Sequence, residues 1–256
     1  MDDPAASRSA VITQQATYFL CDQAYCCEFE DGAIILDMRK TAYLGIDAQN
    51  LPHLRACVQN WPKSQRCDAD DTCAGTPAFE KLAADLLARG ILTTMRTNTR
   101  SLEFAHPTTA MANIEWGAAP RPVPATRLLP FVASLLWVLW GCRAHRLASL
   151  LGWIRCHQAS IHRDEKSSSR CVDGELLRSF WRRRILFYTA YRHCLFDSLV
   201  LSVFLTRRMV PCTLMIGVST KPFAAHAWVQ AGDCVLNDTV EHVLTFTPIL
   251  AVGSSK

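Results

Sequence analysis

The segment 194–238 restricts the fold of this chain more than any other, because it joins an apolar helix to three apolar strands through short turns. PCTLMIGV (211–218) is typical of a strand, and PFAAHAWVQAGDCVLND (222–238) predicts two more strands joined around Gly232-Asp233. The preceding helix has apolar residues at helical spacing on one face, namely Leu195, Leu199, Val203 and either Phe196 or Phe204. The segment therefore predicts a buried helix followed by a strand and a hairpin.

Three residues of this segment follow one another in the order that thiol enzymes use: Cys194, His226 and Asp238. Cys194 starts the predicted helix, where the helix dipole and free backbone N–H groups lower the pKa of a thiol. In such a triad Cys194 attacks, His226 takes and returns the proton, and Asp238 orients the imidazole. Each residue alone is more often structural. Their combination within 45 residues favours a catalytic site.

The hairpin loop decides whether His226 and Asp238 share a face of the sheet. With a two-residue loop at Gly232-Asp233 they lie on opposite faces, because a one-residue slip reverses every side chain. A triad therefore predicts a three-residue loop or a bulge, with Gly232 in the left-handed conformation. In that register Trp228 and Leu236 join the catalytic face, and Ala225 and Ala227 face another layer.

The first third of the chain predicts a small sheet followed by helices. Asp31-Gly32 and Arg39-Lys40 suit hairpin turns between strands. A helical stretch follows Asp47, and a second helix covers 77–89. The strands are predicted at 25–30, 33–38 and 41–46. A three-stranded sheet followed by helices is a winged-helix-like pattern.

A stretch rich in Pro, Ala and Thr divides the chain into two parts. Residues 98–126 show no periodicity and are predicted to be a linker between domains at 1–97 and 127–256. At 256 residues, half of them hydrophobic and a fifth charged, the chain has enough apolar material for a sizeable core. The predicted fold class is α+β.

The twelve cysteines favour neither a zinc site nor disulfides. No CxxC pair occurs and the spacings are irregular, whereas structural zinc sites use closely spaced ligand pairs. We therefore predict that this chain binds no metal and that most cysteines are small buried hydrophobes.

No segment has the pattern of a signal peptide or a membrane span. The N-terminal residues 1–15 are acidic where a signal peptide is basic. The longest apolar run, 128–142, has fifteen residues, while a spanning helix needs about twenty. We expect a cytoplasmic protein.

Charge is distributed unevenly and argues against nucleic-acid binding by the N-terminal part. Residues 1–119 hold 10 Lys/Arg and 15 Asp/Glu, a net charge of −5, whereas DNA binding depends on basic residues. Residues 120–192 hold 13 Lys/Arg and 4 Asp/Glu, a net charge of +9. The basic stretch 176–192 is either a solvated helix face or a docking surface for a protein partner.

The motifs of 194–238 resemble one family closely. A Cys-Leu helix start, an IGV strand, a PF-x-x-H-x-W-V box and a terminal Asn-Asp are similar to the transglutaminase-like leader peptidase of lasso-peptide biosynthesis. The residue after the Trp-Val pair is Gln230, where that family often has glutamate. EDGAIILDMRKTAYLGID (30–47) resembles the strand region of the precursor-recognition domain that is fused to some of these peptidases.

The resemblance implies a papain/transglutaminase-like cysteine peptidase domain at 127–256 and a winged-helix-like leader-recognition domain at 1–97. The implied catalytic residues are Cys194, His226 and Asp238. A leader strand would add beside 41–46 and press against the helix at 77–89. The candidate leader-binding residues are Tyr43, Leu44, Leu82 and Leu86, each of which is equally typical of a core position.

The implied reaction removes the leader from a ribosomally made lasso precursor, which exposes the amine of the first core residue. An asparagine-synthetase-like lasso cyclase, the implied partner, then uses ATP to close the ring. The chain has no GxxxxGK[ST] phosphate loop, so it is expected to bind no cofactor itself. Two alternatives remain open: transfer of the acyl group to an amine, and a non-catalytic precursor escort.

Overall fold

A computed structural model of the protein describes residues 17–62, 77–96, 106–110, 129–143, 146–163, 174–187 and 194–253. Helices and sheets are mixed along the chain, which confirms the predicted α+β class. Most of the predicted linker and the end of the basic stretch 176–192 lie outside the described residues.

The N-terminal part contains a three-stranded antiparallel sheet in the order β2-β3-β4 and a separate two-stranded pair, β1-β5. A 3₁₀ turn, Ala48–Asn50, follows the larger sheet. The elements are β1 (Phe19–Leu20), β2 (Ala24–Phe29), β3 (Gly32–Asp37), β4 (Ala42–Asp47), α1 (Leu51–Cys57), α2 (Pro77–Ala88) and β5 (Leu92–Thr93). The three predicted strands are each displaced by one residue. The winged-helix assignment stays a prediction.

The first hairpin differs from the expected turn at Asp31-Gly32. Phe29 pairs with Gly32, so the loop is Glu30-Asp31 and the glycine belongs to the strand. Gly32 has φ +151, and a Cβ there would lie 2.1 Å from the carbonyl oxygen of Ile46. Glycine is therefore needed for close approach to β4 rather than for the turn.

The two faces of the β2-β3-β4 sheet enter different hydrophobic cores. Along β3 every residue is buried, and successive side chains point to opposite faces. One face, with Ala33 and Ile35, packs on α1 and α2. The other face, with Ile34 and Leu36, packs in the main core of the C-terminal part. The N-terminal sheet is thus a layer shared by both halves of the chain.

The C-terminal part surrounds one helix with three others. Helix α6 (Cys194–Thr206) is buried at every position from Asp197 to Thr206, in agreement with the buried helix that the sequence predicts. Its Phe204 packs with Phe131 and Phe180 of two neighbouring helices, with ring centroids 5.4–6.5 Å apart. These helices are α3 (Leu129–Arg143), α4 (Leu147–Arg163), α5 (Gly174–Phe187) and α6 (Cys194–Thr206). Among the described helices, none is long and apolar enough to cross a membrane.

A five-stranded sheet in the order β10-β7-β8-β9-β6 covers α6. Strands β7, β8 and β9 are antiparallel neighbours, while β6 pairs with β9 in parallel. β6 lies within the predicted linker 98–126, so part of that segment belongs to this sheet. The elements are β6 (Thr109–Ala110), β7 (Thr213–Thr220), β8 (Phe223–Ala231), β9 (Cys234–Val235), α7 (Val240–Val243) and β10 (Thr247–Val252).

The described cysteines are free thiols. Burial raises the pKa of Cys27 and Cys212 to about 12, so these two are the inert, core-forming thiols that the sequence predicts. Cys142 and Cys156 are exposed and depart from that prediction.

Candidate active site

Helix α6 presents Cys194 at its N-terminus, next to strand β8. The hydroxyl of Ser198, one turn into the helix, donates to the carbonyl of Ala227 at 2.9 Å. This bond ties the first turn of α6 to β8. Because Cys194 starts the helix, its sulfur lies near free backbone N–H groups, and those of Leu195 and Ala227 donate to it.

His226 lies on β8 directly opposite Gly217 of β7. A Cβ on Gly217 would lie 2.9 Å from atoms of both Trp228 and Phe246, so the glycine leaves room for these rings. The His226 ring stacks on Trp228 (centroids 6.1 Å, 16° between planes) and on Phe246 (5.1 Å, 30°). These contacts hold the imidazole in one orientation and leave its side chain 14% exposed.

The β8–β9 hairpin has the two-residue loop that the sequence argument excluded. Ala231 pairs with Cys234, so Gly232-Asp233 is the whole loop, and Gly232 takes the predicted left-handed φ of +60. The expectation of a three-residue loop or bulge was therefore wrong. His226 and Asp238 nevertheless meet: His226 Nε2 lies 2.5 Å from Asp238 Oδ2.

Asn237 explains how His226 and Asp238 come into contact although the hairpin has a two-residue loop. Regular pairing ends where the N–H of Leu236 donates to the carbonyl of Val229. The side chain of Asn237 then takes the place of a backbone partner. Its Oδ1 accepts from the N–H of Val229 at 2.7 Å, and its Nδ2 donates to the hydroxyl of Ser198 at 2.8 Å. Because the chain leaves the sheet there, Asp238 is free to turn towards His226.

The faces of the hairpin differ in part from the prediction. Trp228 lies beside His226 as expected, but Leu236 belongs to the opposite, main core together with Ala227. Ala227 is buried under α6 as expected, whereas Ala225 is exposed. Both differences follow from the two-residue loop, which puts Leu236 on the Ala227 side of the sheet.

Asp238 is held by three donors. Its Oδ1 accepts from the N–H of Thr239 at 2.8 Å. Its Oδ2 accepts from His226 and from Nδ1 of His242 at 2.9 Å. Burial opposes ionisation of the carboxyl, but these hydrogen bonds outweigh it and lower its pKa. The carboxylate form is therefore stable beside the imidazole.

The thiol and the imidazole favour a charged pair. The hydrogen bond with His226 lowers the pKa of Cys194 and outweighs its partial burial. Burial lowers the pKa of His226, yet hydrogen bonds with Asp238 and Cys194 raise it to about 9. His226 is therefore protonated at neutral pH, and the lowered pKa of Cys194 makes the nucleophilic thiolate easier to form beside this proton donor.

Asn237 and His242 have roles at the site that the sequence analysis did not assign. Asn237 belongs to the Asn-Asp pair whose aspartate alone was considered. His242 follows Asp238 by four residues, one helical turn, with Thr239 as the N-cap of α7 between them. The i,i+4 spacing is the signal that predicts contact between these side chains.

Part of the basic stretch 176–192 contacts the first turn of the helix that carries Cys194. Arg184 of α5 donates to the buried Asp197 at 3.1 Å, in the first turn of α6 after Cys194. Arg183 is 3% exposed. Within its described part, the stretch 176–192 is therefore not simply a solvated helix face.

The four candidate leader-binding residues lie in two different places. Leu44 and Leu82 are half-buried at the border of the core between the N-terminal sheet and α2. Leu86 is fully buried in that core, so its side chain presents no free surface. Tyr43 lies on the opposite face of β4, towards the C-terminal part.

Tyr43 connects the N-terminal sheet to the candidate site. Its ring packs edge-on against Phe223, at the start of β8, with centroids 5.5 Å apart. Burial raises the pKa of Tyr43 and negative charge on Cys194 adds to the shift, so the ring lies within electrostatic range of the thiolate. Nearby, Lys221 forms an exposed ion pair with Asp31 at 3.2 Å.

Comparison with known protein families agrees with this chemistry. Residues 135–251 match the transglutaminase-like superfamily, whose members are typically cysteine peptidases and acyl transferases. The match begins in α3 and contains all three residues of the Cys-His-Asp set. No curated protein and no solved structure matches the chain.

Proposed function

We propose that the protein is a cysteine peptidase that removes the leader from a ribosomally synthesised lasso-peptide precursor. The observation that carries the proposal is the contact network of Cys194, His226 and Asp238 beside the edge of the N-terminal sheet. The transglutaminase-like match at 135–251 supports acyl-transfer chemistry, and the motifs of 194–238 support the lasso-peptide assignment.

In the proposed reaction the Cys194 thiolate attacks the carbonyl carbon of the last leader residue. The oxyanion accepts a hydrogen bond from the backbone N–H of Cys194. His226 gives its proton to the departing amine of the first core residue, and the C–N bond breaks. Water, deprotonated by His226, then attacks the thioester and releases the leader acid and the free thiol. Asp238 keeps the Nε2 side of His226 in place throughout.

The geometry of β4 supplies a route for the leader. In the described sheet β4 is paired on one side only, by β3. A leader segment that adds to the free side would contact Leu44 and Leu82. Tyr43, near the start of β4, packs against Phe223 of β8, the strand that carries His226. A leader antiparallel to β4 would therefore bring its C-terminal end, with the scissile bond, to the thiol.

The product determines which partner follows. Cleavage releases a core peptide with a free N-terminal amine, the group that an ATP-using, asparagine-synthetase-like lasso cyclase joins to a carboxyl side chain. The partly exposed arginines of α5 in the basic stretch, Arg178 and Arg182, belong to the surface on which we propose that this cyclase docks.

The test uses the full chain and the precursor encoded in its genomic neighbourhood, with the cyclase and ATP present. We expect mass spectrometry to show the free leader acid and the core, and Cys194→Ala to abolish both while precursor binding persists. Cys156→Ala is the matched control, because Cys156 is an exposed thiol on α4.

The other outcomes separate the alternatives. A leader joined to an added amine would show acyl transfer instead of hydrolysis. Full cleavage by Cys194→Ala would eliminate the proposed nucleophile. Binding without cleavage by the wild-type chain would show an escort.

A further inference from the structure

A second histidine converts part of the candidate site into a three-ligand cluster. His226, Asp238 and His242 each offer one ligand atom, and these atoms lie within 4.8 Å of one another. Two imidazole nitrogens and one carboxylate oxygen are a ligand set that Zn²⁺ accepts, with water completing the coordination. From this cluster we infer a binding site for Zn²⁺ or a similar divalent transition metal at His226, Asp238 and His242.

The ligand atoms move by about 1 to 1.5 Å to hold the ion. The carboxylate oxygen lies 2.5 Å from His226 Nε2 and 2.9 Å from His242 Nδ1. Around zinc, with bonds of about 2.0–2.2 Å, ligand atoms stand roughly 3.3 Å apart. The carboxylate therefore retreats by less than about 1 Å, the two imidazole nitrogens approach each other by up to about 1.5 Å, and the ion takes the place of the two hydrogen-bonding protons.

The surroundings of the three ligands favour replacement of the two hydrogen-bonding protons by the ion. Asp238 Oδ1 is already held by the N–H of Thr239, which leaves Oδ2 for the ion. The rings of Trp228 and Phe246 fix His226 from the side. The His242 side chain is 50% exposed, so it is free to adjust and leaves the cluster open to solvent.

Metal binding has a direct consequence for the reaction, and this step rests on the proposed function. With Nε2 bound to the ion, the imidazole keeps one proton, on the nitrogen that faces Cys194. A metal-bound imidazole releases that proton much less readily than an imidazolium does. Protonation of the departing amine then fails, so the ion switches the peptidase off.

Binding is tested on the full chain independently of activity. We expect calorimetric titration with Zn²⁺ to give one ion per chain. His242→Ala should weaken binding by at least about tenfold, and Cys194→Ala should leave it unchanged. His157→Ala is the control, because His157 is an exposed histidine on α4 outside the cluster. The Co²⁺ complex should lack a thiolate-to-metal charge-transfer band.

The opposite pattern would overturn the site. Unchanged affinity in His242→Ala, loss of binding in Cys194→Ala, or a thiolate band with Co²⁺ would each place the ion on the Cys194–His226 pair or elsewhere. For inhibition, the Zn²⁺ concentration that halves the cleavage rate should be at least about tenfold higher for His242→Ala than for wild type, each compared with its own zinc-free rate. Zinc binding as expected in a chain that cleaves no precursor would refute the proposed function and leave the site intact.

Discussion

The N-terminal sheet and the sheet that contains β8 both pair antiparallel strands, but their central strands differ in how much of their length is buried. Strand β3 is buried along its whole length and contributes Ile35 to one core and Leu36 to another. Strand β8 is buried only from Ala227 to Gln230, and its first half is partly open to solvent. A strand buried on both faces joins two layers, whereas the less buried first half of β8 leaves His226 partly accessible to solvent. His226 lies at the point where the buried part of β8 begins.

The largest effect is expected when His226, on the partly exposed half of β8, is removed. His226→Ala should lower the rate of leader cleavage by about a thousandfold or more, because the base and the proton donor are lost together. Quenched precursor-cleavage assays measure this directly. The control, His157→Ala, should cleave at the wild-type rate.

His226→Ala should also change the pH dependence of the reactivity of Cys194. The hydrogen bond from His226 holds the pKa of Cys194 below its usual range, so its removal raises that pKa and less thiolate exists at neutral pH. Alkylation of Cys194 by iodoacetamide should therefore slow at pH 7, and its rate profile should move to higher pH. These measurements are made with a chelator present. An unchanged profile would contradict the thiolate–imidazolium pair.

The shared layer predicts an equal loss of stability on both sides of β3. Ile35→Ala and Leu36→Ala each delete a fully buried side chain and should each cost about 2–5 kcal/mol of unfolding free energy. Denaturant titration measures this, and Lys81→Ala on the exposed side of α2 is the neutral control. If only one of the two residues matters, the sheet belongs to one half of the molecule. Because Leu36 packs in the main core, separating residues 1–97 would expose an apolar face. The stability measurements therefore use the full chain.

The smallest expected effect concerns leader recognition. Leu44→Ser and Leu82→Ser should each raise the KM for the full precursor by about tenfold and leave kcat unchanged, because they remove apolar contact with the bound leader. Leu136→Ser, at an exposed leucine of α3, is the matched control. A fall in kcat with unchanged KM would instead place these residues in the catalytic machinery.

The β2-β3-β4 strands and α6 follow from local patterns. The turn dipeptides Asp31-Gly32 and Arg39-Lys40 bound the strands to within one residue, and apolar spacing predicts the helix that Cys194 begins. Periodicity did not predict that α6 is buried all round, because this depends on how many helices surround it. The pattern also could not assign Tyr43 to the face that packs near Cys194, since both faces of β4 carry apolar residues.

The order of Cys194, His226 and Asp238, and the elements that carry them, can be read from the chain alone. The contact between His226 and Asp238 cannot, because pairing rules apply only while a strand stays in its sheet. In the three-dimensional structure the Asn237 side chain takes over a backbone hydrogen bond of β8 and ends β9, which releases Asp238 from the register of the hairpin. The same turn starts α7 and brings His242 onto the carboxylate. A side-chain hydrogen bond that replaces a backbone one is a tertiary event, and it decided the geometry of the site.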